Sequence, residues 1–556
     1  MKKVYNTIYN RHRLLFISSL CLFGLLITHL CGFSLPGPKP RKKSETKVLL
    51  LHADRLSYNQ YKNPEAQILN GNVAFQHDQV KMFCDSAYFF KVTNSFEAFG
   101  HVRMIQGDTL SLTGDYLYYD GDAQIAQVRR NVKMKHRKSI LLTDSLNYDR
   151  LYDLGYFFEG GKLIDGNNTL TSEWGEYSPA TRLAVFNYNV KLVNPQFVLT
   201  SDTLHYDTRT KLAHIVGPSN IVSGDSHIYS ESGYYNTASE KARLLDRSIV
   251  TNKGTKMVGD SLFYDKVTGV MKAFKNVIYE DKVNKNILTG NYCTYNELTG
   301  FALATDSAIA RDYSNGPDTL FVHADTFKVF SYNMKTDSLY RVMHGYHHVR
   351  AYRTDVQAVS DSMKFDSRAK CLSLYDNPIV WNNNQQLLGE EIYVHMNDST
   401  IDSVHVVNQA LLVERLDSTH YNQVTSREMK AFFKEGQLYE NRAIGNVIVV
   451  FYPFDSDSIM IGLNYLETSL MQMFMKERKV YRIKTPEASG TLYPLTLAPR
   501  EKWYLSNFAW FDYIRPKDKN DLFEWREKKS GTELKPIVRR KAPLQQLRDL
   551  KIGDKK

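Results

Sequence analysis

The sequence is poor in the residue types on which disulfide scaffolds and many enzymes depend. It has five cysteines among 556 residues, at positions 21, 31, 84, 293 and 371, and their number and spacing predict no disulfide framework. We expect Cys84 and Cys293 to be buried free thiols, since they lie in or beside predicted strands. The Gly-x-Ser-x-Gly, His-Glu-x-x-His and phosphate-loop patterns do not occur, which argues against the corresponding hydrolases, metalloproteases and nucleotide-binding enzymes.

The body of the chain also lacks an excess of positive charge. The formal net charge is +11, but residues 1–43 and 500–556 carry 24 of the 71 basic residues. Residues 44–499 contain 47 basic and 51 acidic residues, a formal charge of −4. A nucleic-acid-binding protein concentrates positive charge on its folded surface. We therefore predict that nucleic acid is not a partner.

What the sequence does contain is a repeat. Residues 143–149, Thr-Asp-Ser-Leu-Asn-Tyr-Asp, return as Ser-Asp-Thr-Leu-His-Tyr-Asp at 201–207 and as Gly-Asp-Ser-Leu-Phe-Tyr-Asp at 259–265. The acidic anchor of this motif falls at positions 54, 85, 115, 144, 173, 202, 231 and 260, in steps of 29 to 31 residues. Looser copies follow at 291, 325, 361, 390 and 428, which makes 13 copies. A fixed period in this range is typical of a stacked array.

Each copy reads as β-structure. In the anchor motif apolar and polar residues alternate, so that Leu146 and Tyr148 share one face of a strand. A second signal follows 15 to 20 residues later, where a Gly or Asn leads into another alternating run, as in Gly71-Asn72-Val73. The sequence therefore predicts an all-β, elongated repeat array of about 13 repeats of about 29 residues, with little helix.

The flanking segments differ in character from the repeats. Residues 1–34 combine basic residues with an apolar run and predict a signal peptide or an N-terminal membrane anchor, so the rest of the chain is predicted to be exported. A basic, Pro-rich linker at 35–47 precedes the repeat array at 48–452. A β-hairpin and an aromatic capping segment are predicted for 453–516, and a charged disordered tail for 517–556.

The period, the Asp-x-Leu-x-Tyr-Asp anchor and the Gly-Asn-Val type of strand resemble the OstA family, which includes LptA-type periplasmic lipopolysaccharide-transport proteins. The aromatic end, including Tyr493-Pro494-Leu495 and Phe508-Ala509-Trp510, is similar to large OstA-like proteins of Bacteroidetes-type bacteria. The resemblance implies an open β-jellyroll whose apolar groove holds acyl chains. It also implies a periplasmic bridge for lipopolysaccharide between inner and outer membrane. A departure from the family is the length of about 13 repeats, well beyond that of a small LptA.

An apolar stripe supplies the candidate site, because its residues recur on one face of successive strands. From the residues alone a closed, dry core between two sheets is favoured, whereas the resemblance implies that part of the stripe lines a lipid groove. The groove candidates are Val73, Phe75, Val102, Met104, Val132, Met134, Leu146, Tyr148, Leu204, Tyr206, Leu262 and Tyr264.

Other polar clusters receive structural interpretations. The anchor Asp residues are spread regularly along the chain, whereas an active site would be local, so we expect them to hydrogen-bond in turns. His344, His347 and His348 form a cluster without Cys or acidic residues at metal-ligand spacing. Asp455 and Asp457 lack the rest of a calcium-binding loop. We predict no metal site, no cofactor and no enzymatic activity.

The resemblance also implies partners and a location. These are lipopolysaccharide through its lipid A, LptC-like and LptD-like membrane components, end-to-end self-association, and a position in the periplasm, anchored to the inner membrane or associated with the outer membrane. The alternative function is a structural or carbohydrate-binding β-solenoid at the cell surface, which would place aromatic residues on an outward face. A polysaccharide-cleaving β-helix enzyme is less favoured, because no local cluster of carboxylates interrupts the repeat.

Overall fold

The fold is built almost entirely from antiparallel strands, as the alternating pattern predicts. A computed structural model describes residues 46–59, 61, 63–314, 318–397, 400–477 and 479–529. These residues form 36 β-strands and four three-residue 3-10 helices, and the all-β prediction is confirmed. The predicted signal segment, most of the linker and residues 530–556 lie outside the described residues. Within the described ranges, no helix combines the length and apolar character needed to cross a membrane.

The chain divides into two compact units, Met1–Val216 and Gly217–Lys556, and β15, Leu212–Ser223, contains the boundary. The other strands of the first unit are β1 Leu49–His52, β2 Arg55–Asn59, β3 Asn63–His77, β4 Val80–Phe90, β5 Ser95–Gln106, β6 Leu110–Asp120, β7 Ile125–His136, β8 Ser139–Asp149, β9 Leu154–Phe157, β10 Gly161–Asp165, β11 Asn168–Ser172, β12 Trp174–Ser178, β13 Leu183–Asn194 and β14 Phe197–Asp207.

The second unit continues the same alternation of strand and short turn. Its strands are β16 Ser226–Asn236, β17 Lys241–Asn252, β18 Thr255–Asp265, β19 Val270–Asp281, β20 Asn286–Asn296, β21 Ala302–Thr305, β22 Ile309–Asp312, β23 Leu320–His323, β24 Thr326–Tyr332, β25 Tyr340–Tyr352, β26 Val356–Asp366, β27 Cys371–Tyr375, β28 Ile379–Asn382, β29 Gln385–Leu388, β30 Glu391–Met396, β31 Ile401–Arg415, β32 Tyr421–Lys434, β33 Gln437–Phe451, β34 Gly462–Lys476, β35 Lys479–Lys484 and β36 Ala488–Pro494.

One sequence repeat corresponds to two antiparallel strands. The anchor acid lies in the middle of one strand, as Asp85 does in β4, and the Gly/Asn signal lies in the middle of the next, as Gly100 does in β5. At the Gly/Asn signal the register slips and two consecutive residues adopt left-handed backbone angles, for example Gly71 at φ +78° and Asn72 at φ +45°. Such a bulge bends the strand at this point. We call the line of bulges the fold line.

The anchor carboxylates brace the fold line. Asn72 donates its side-chain amide to Asp54 at 2.9 Å, and Asn276 donates to Asp260 at 2.9 Å. A side-chain β-carbon at Gly71 would come within 2.3 Å of a carboxylate oxygen of Asp54, so glycine is required there for space as well as for its backbone angle. The regular spacing of the acids therefore serves the fold, but these acids bond across the bulge of the next strand and not in the turns that the sequence pattern predicts.

A segment after β36 packs across one face of the second unit. Residues 495–529, which we call the strap, contain the 3-10 helices Leu495–Leu497, Arg500–Lys502, Asp512–Ile514 and Asp521–Phe523. The strap and the strands between β26 and β34 share one buried apolar cluster. The cluster consists of Val359, Ile379, Trp381, Leu388, Leu411, Val413, Val450, Tyr452, Leu463, Leu505, Ala509, Phe511 and Ile514.

Two glutamines with no exposed surface fix the strap by its backbone. The side-chain amide of Gln386 donates to the carbonyl oxygen of Ala509 and accepts from the N–H of Phe511, both at 2.8 Å. Gln423 makes the same pair of bonds six residues earlier in the strap, donating to the carbonyl oxygen of Trp503 and accepting from the N–H of Leu505, both at 2.9 Å. The aromatic segment predicted to cap an edge thus covers a face of the sheet, and its packed part continues past residue 516.

Candidate functional site

The strands of the first unit fold over so that their two ends face each other. Through the sheet register, Gln67 lies in line with Phe89, Phe96 and Tyr119. Gln67 and His77 are both in β3, where ten residues of straight strand would separate them by about 33 Å. Yet the Nδ1 atom of His77 lies 2.7 Å from the hydroxyl of Tyr119. The bulges at the fold line therefore divide each strand into two halves that pack against each other.

We name these halves by the turns at which they end. Half A ends at the two-residue turns, such as 78–79, and half B ends at the four-residue turns, such as 91–94. Side chains of the two halves meet inside the unit, as in the stacked rings of Phe75 and Phe96, whose centroids are 4.1 Å apart. The line along which the free ends of the halves face each other is called the mouth.

Polar bonds, which we call rungs, close the mouth of the first unit. The first rung joins His77 in half A to Tyr119 in half B, and the Arg150 guanidinium also bonds the Tyr119 hydroxyl and lies 3.1 Å from His77. A second rung joins His136 Nδ1 to the hydroxyl of Tyr177 at 2.7 Å. These side chains are almost fully buried, and the two histidine–tyrosine bonds pair polar groups of opposite halves.

Carboxylates complete the other two rungs. Asp165 in half A accepts the Tyr206 hydroxyl at 2.9 Å and lies 2.5 Å from Lys211 Nζ. Gln106 donates to Asp153 at 2.9 Å, and Asp153 also accepts the Tyr148 hydroxyl at 2.9 Å. The interior of the first unit is therefore sealed along the mouth as well as at the fold line.

The groove candidates fall into two groups by exposure. The ten in the first unit, from Val73 to Tyr206, are at most 2% exposed, and so is Leu262 in the second unit. Tyr264 is partly exposed. In the described state, the stripe of the first unit is thus a closed apolar core, as the pattern of residues alone favours.

The second unit has an inward face that opens towards its mouth. Near the fold line, Leu244, Leu262 and Ala273 are buried. Towards the mouth the register aligns partly exposed residues on both halves. They are Ile228, Val250, Tyr279 and Leu288 on half A, and Tyr235, Tyr264, Met271 and Tyr295 on half B. This apolar surface between β16 and β20, with its accessible margins, is called the trough.

The trough tyrosines stay protonated over a wide pH range. Burial raises the pKa of Tyr235 and of Tyr264 to about 12, and neighbouring carboxylates, Glu240 and Glu297, act in the same direction. The Tyr264 hydroxyl donates to a carboxylate oxygen of Glu297 at 3.1 Å. Burial likewise raises the pKa of Tyr279 to about 12. The trough therefore presents apolar rings with neutral hydroxyl groups.

Other candidate clusters prove to be structural. His347 and His348 form a bulge with left-handed backbone angles, and they bond to the anchor acids Asp361 at 3.3 Å and Asp325 at 2.8 Å. In the described part of the chain, no group of three or more His, Cys, Asp or Glu side chains could hold a metal ion. Cys84, Cys293 and Cys371 are buried free thiols, and burial raises the pKa of the first two to about 12.

Two shallow surface cavities lie away from the trough. Their volumes are about 320 and 250 Å³, and both include Tyr352 and Thr354. Their linings are polar and charged, with Arg515 and Lys517 beside the larger cavity and Arg353 and Lys519 beside the smaller. None of the twelve groove candidates lines either cavity.

Sequence reasoning missed the half-A members of the rungs. The signal that could have found them is a second spacing, because each lies 41 or 42 residues before the anchor tyrosine it faces: His77 before Tyr119, His136 before Tyr177, and Asp165 before Tyr206. Their residue types differ from repeat to repeat, so a search for a repeated motif passes over them.

The histidine rungs should be sensitive to acid. Burial is the main cause that lowers the pKa of His77 and of His136 below the ordinary value of about 6.5. Because the folded state binds the proton less readily than the open state, their contribution is full above about pH 6.5 and is lost as the pH falls below that value. We expect the protection of amides at the turns of the first unit, corrected for the intrinsic pH dependence of exchange, to fall between pH 7.5 and pH 5.5.

A double variant provides the control for this expectation. His77→Gln with His136→Gln removes both titrating groups and should flatten the change in exchange over that pH interval. An equally steep change in the double variant would contradict the assignment.

Comparisons with known proteins point to the first unit. Residues 45–202 match the family model described as OstA-like protein. A comparison with curated proteins gives no match. Among solved structures, the chain is similar to LptH of Pseudomonas aeruginosa, described as the LptA-homologous periplasmic component of the lipopolysaccharide transport device. That match has 19% sequence identity, covers 18% of this chain and 75% of that chain, and has a TM-score of 0.17.

Proposed function

Residues 45–202 form an OstA-like domain, and from this premise we propose that the protein is a carrier of lipopolysaccharide. It binds the acyl chains of the lipid on an apolar inner surface and passes them from the inner to the outer membrane. The observation that carries the proposal is the trough, an inward apolar surface that is accessible from its mouth between β16 and β20.

The chemistry of the trough suits acyl chains. Burying one methylene group contributes about 0.8 kcal/mol, so a chain of a dozen methylenes is held without any specific polar contact. Ile228 and Val250 offer aliphatic contacts on adjacent strands of half A, and Leu288 offers another three strands further on, after Met257 and Tyr279 in the register. Since no position differs greatly from its neighbour, the cargo can advance along the surface without meeting a deep trap.

The groove candidates enter this proposal in two ways. Leu262 and Tyr264 belong to the trough and can contact cargo as they stand. The ten candidates of the first unit contact cargo only when the rungs separate, because the mouth is sealed while these bonds persist. The first unit is therefore proposed to act as a closed conduit that opens with passage.

The proposal includes the predicted setting of the protein. Export by the segment at 1–34 brings the repeats to the periplasm, with LptC-like and LptD-like components as the donor and acceptor of the lipid. The alternative of a glycan-binding solenoid with aromatic residues on its outer face is not favoured, because the anchor tyrosines Tyr119, Tyr148, Tyr177 and Tyr206 point inward and are buried.

Photo-crosslinking in cells tests the carrier function. A photoreactive residue at Met271 should capture lipopolysaccharide, whereas one at Lys272, the exposed outward neighbour on the same strand, should not. A third position, Leu204, reports whether the rungs open, since it is reached only through the closed mouth. Equal capture at Met271 and Lys272, or capture at neither, would refute the carrier function.

A further inference from the structure

A row of tyrosines follows the half-B margin of the trough. Tyr235, Tyr264 and Tyr295 occupy alternate strands, separated in the register by Ala242 and Met271. Strands in a sheet are about 4.8 Å apart, so the rings repeat at roughly 10 Å. The opposite margin at the same depth is aliphatic apart from Tyr279. The two walls of the trough therefore differ in polarity.

The first unit indicates where these hydroxyls point. There the equivalent tyrosines, Tyr119, Tyr177 and Tyr206, reach across the mouth to bond with half A. The position 41 residues before Tyr264 is Ser223, whose side chain is shorter than the His and Asp side chains that complete the rungs. The same strand geometry directs the row towards the mouth, and the position 41 residues before Tyr295 is Gly254, which has no side chain to form a rung.

The carboxylates beside the tyrosine row determine which class of ligand can bind at this margin. Glu297 accepts the Tyr264 hydroxyl, and Glu240 lies close enough to Tyr235 to raise its pKa. Carboxylates and phenol oxygens accept hydrogen bonds from alcohol groups, and the phenol can donate in return. The charge of Glu240 is offset by Lys266, whose Nζ lies 3.4 Å from a Glu240 carboxylate oxygen, so the repulsion of a phosphate or another anion at this margin comes from Glu297.

We propose that the half-B margin of the trough binds the neutral, polyhydroxylated part of the cargo's head group, while the hydrocarbon chains lie against Ile228, Val250 and Leu288. The inference rests on the carrier function and adds to it a recognition site for sugar hydroxyls. An amphiphile then lies with its chains towards the fold line and its sugar along Tyr235, Tyr264 and Tyr295. As the cargo moves along the trough, its sugar leaves one tyrosine of the row and binds the next.

Two detergents with the same alkyl chain but different head groups distinguish binding of the hydrocarbon chain from recognition of the sugar hydroxyls. Binding of dodecyl maltoside and of dodecyl phosphate to the purified full chain is measured below their micelle concentrations. Wild-type protein should bind the maltoside more tightly than the phosphate. Tyr264→Phe with Tyr295→Phe should weaken the maltoside about tenfold, the equivalent of about one net hydrogen bond, and leave the phosphate unchanged.

Matched variants guard this experiment against indirect effects. Tyr234→Phe changes an exposed tyrosine next to the row and should alter neither affinity. Glu297→Gln should strengthen the phosphate by removing the negative charge at the margin. If both detergents bind equally and the double variant changes neither, the head-group site is refuted and the carrier function stands. If neither detergent binds, both proposals are overturned.

Discussion

Leu204→Asp should unfold the first unit, whereas Ile228→Asp should leave the second unit folded. Leu204 has no exposed surface and lies within the sealed interior, so an aspartate there is buried without a partner. We expect a loss of more than about 3 kcal/mol in the free energy of unfolding, because a buried carboxylate is either ionised at high cost or forced to take up a proton. Ile228 is partly exposed at the margin of the trough, where water reaches the new group, and a loss of about 1 kcal/mol is expected.

Urea unfolding followed by circular dichroism, together with hydrogen exchange resolved by segment, measures both effects. Leu204→Ala provides the control for packing alone and should cost about 2–5 kcal/mol without introducing charge. A charge at Leu204 that is tolerated as well as one at Ile228 would mean that the first unit is already open to water. The closed core of the first unit and the accessible trough of the second unit would then no longer be distinct.

Removing the two glutamines under the strap should release it. In Gln386→Ala with Gln423→Ala, four backbone groups of the strap lose their partners: three at the buried residues Leu505, Ala509 and Phe511, and one at the partly exposed Trp503. A buried polar group without a partner costs about 1–3 kcal/mol. We expect the combined cost of these unpaired groups to exceed the free energy with which the apolar contacts of the strap hold it on the sheet. We expect cleavage between residues 495 and 529 to become the first event in limited proteolysis.

Gln385→Ala is the matched control, since this neighbouring side chain is exposed and contacts Glu414 at 3.4 Å instead of the strap. It should leave the cleavage pattern unchanged. The expectation is contradicted if the double variant is cleaved at the same rate as wild-type protein. The strap would then depend on its apolar side chains alone, such as Phe511 and Ile514.

The repeat and its strands could be predicted from sequence because their causes are local. The anchor acid, the alternation of Leu146 and Tyr148, and the Gly71-Asn72 signal each act within a few residues, and the structure places a strand or a bulge at each. The closure of the mouth could not be predicted in this way. It depends on pairs such as His136 and Tyr177, 41 residues apart, whose half-A member varies in type.

The strap could be located in the sequence but its position could not be derived. Its aromatic composition distinguishes it from the repeats, yet its binding depends on Gln386 and Gln423, which lie 80 to 125 residues before the backbone groups they hold. A polar residue on a strand of a repeat reads as solvent-facing, and only packing against the strap buries it.

The spacing of the rungs bears on how such a chain can change in length over evolution. In each rung the anchor tyrosine meets a side chain 41 or 42 residues earlier, which lies two repeats back when each repeat is counted from its anchor acid. Loss of one whole repeat of 29 residues brings the next tyrosine opposite the partner of its lost neighbour, so that Tyr177 would meet the region of Gln106 in place of His136. Whole repeats can thus be deleted or duplicated without stranding a buried hydroxyl, whereas the insertion of a single residue within a strand shifts the following inward side chains to the outer face. Gene rearrangements in multiples of the repeat are the ones that this architecture tolerates.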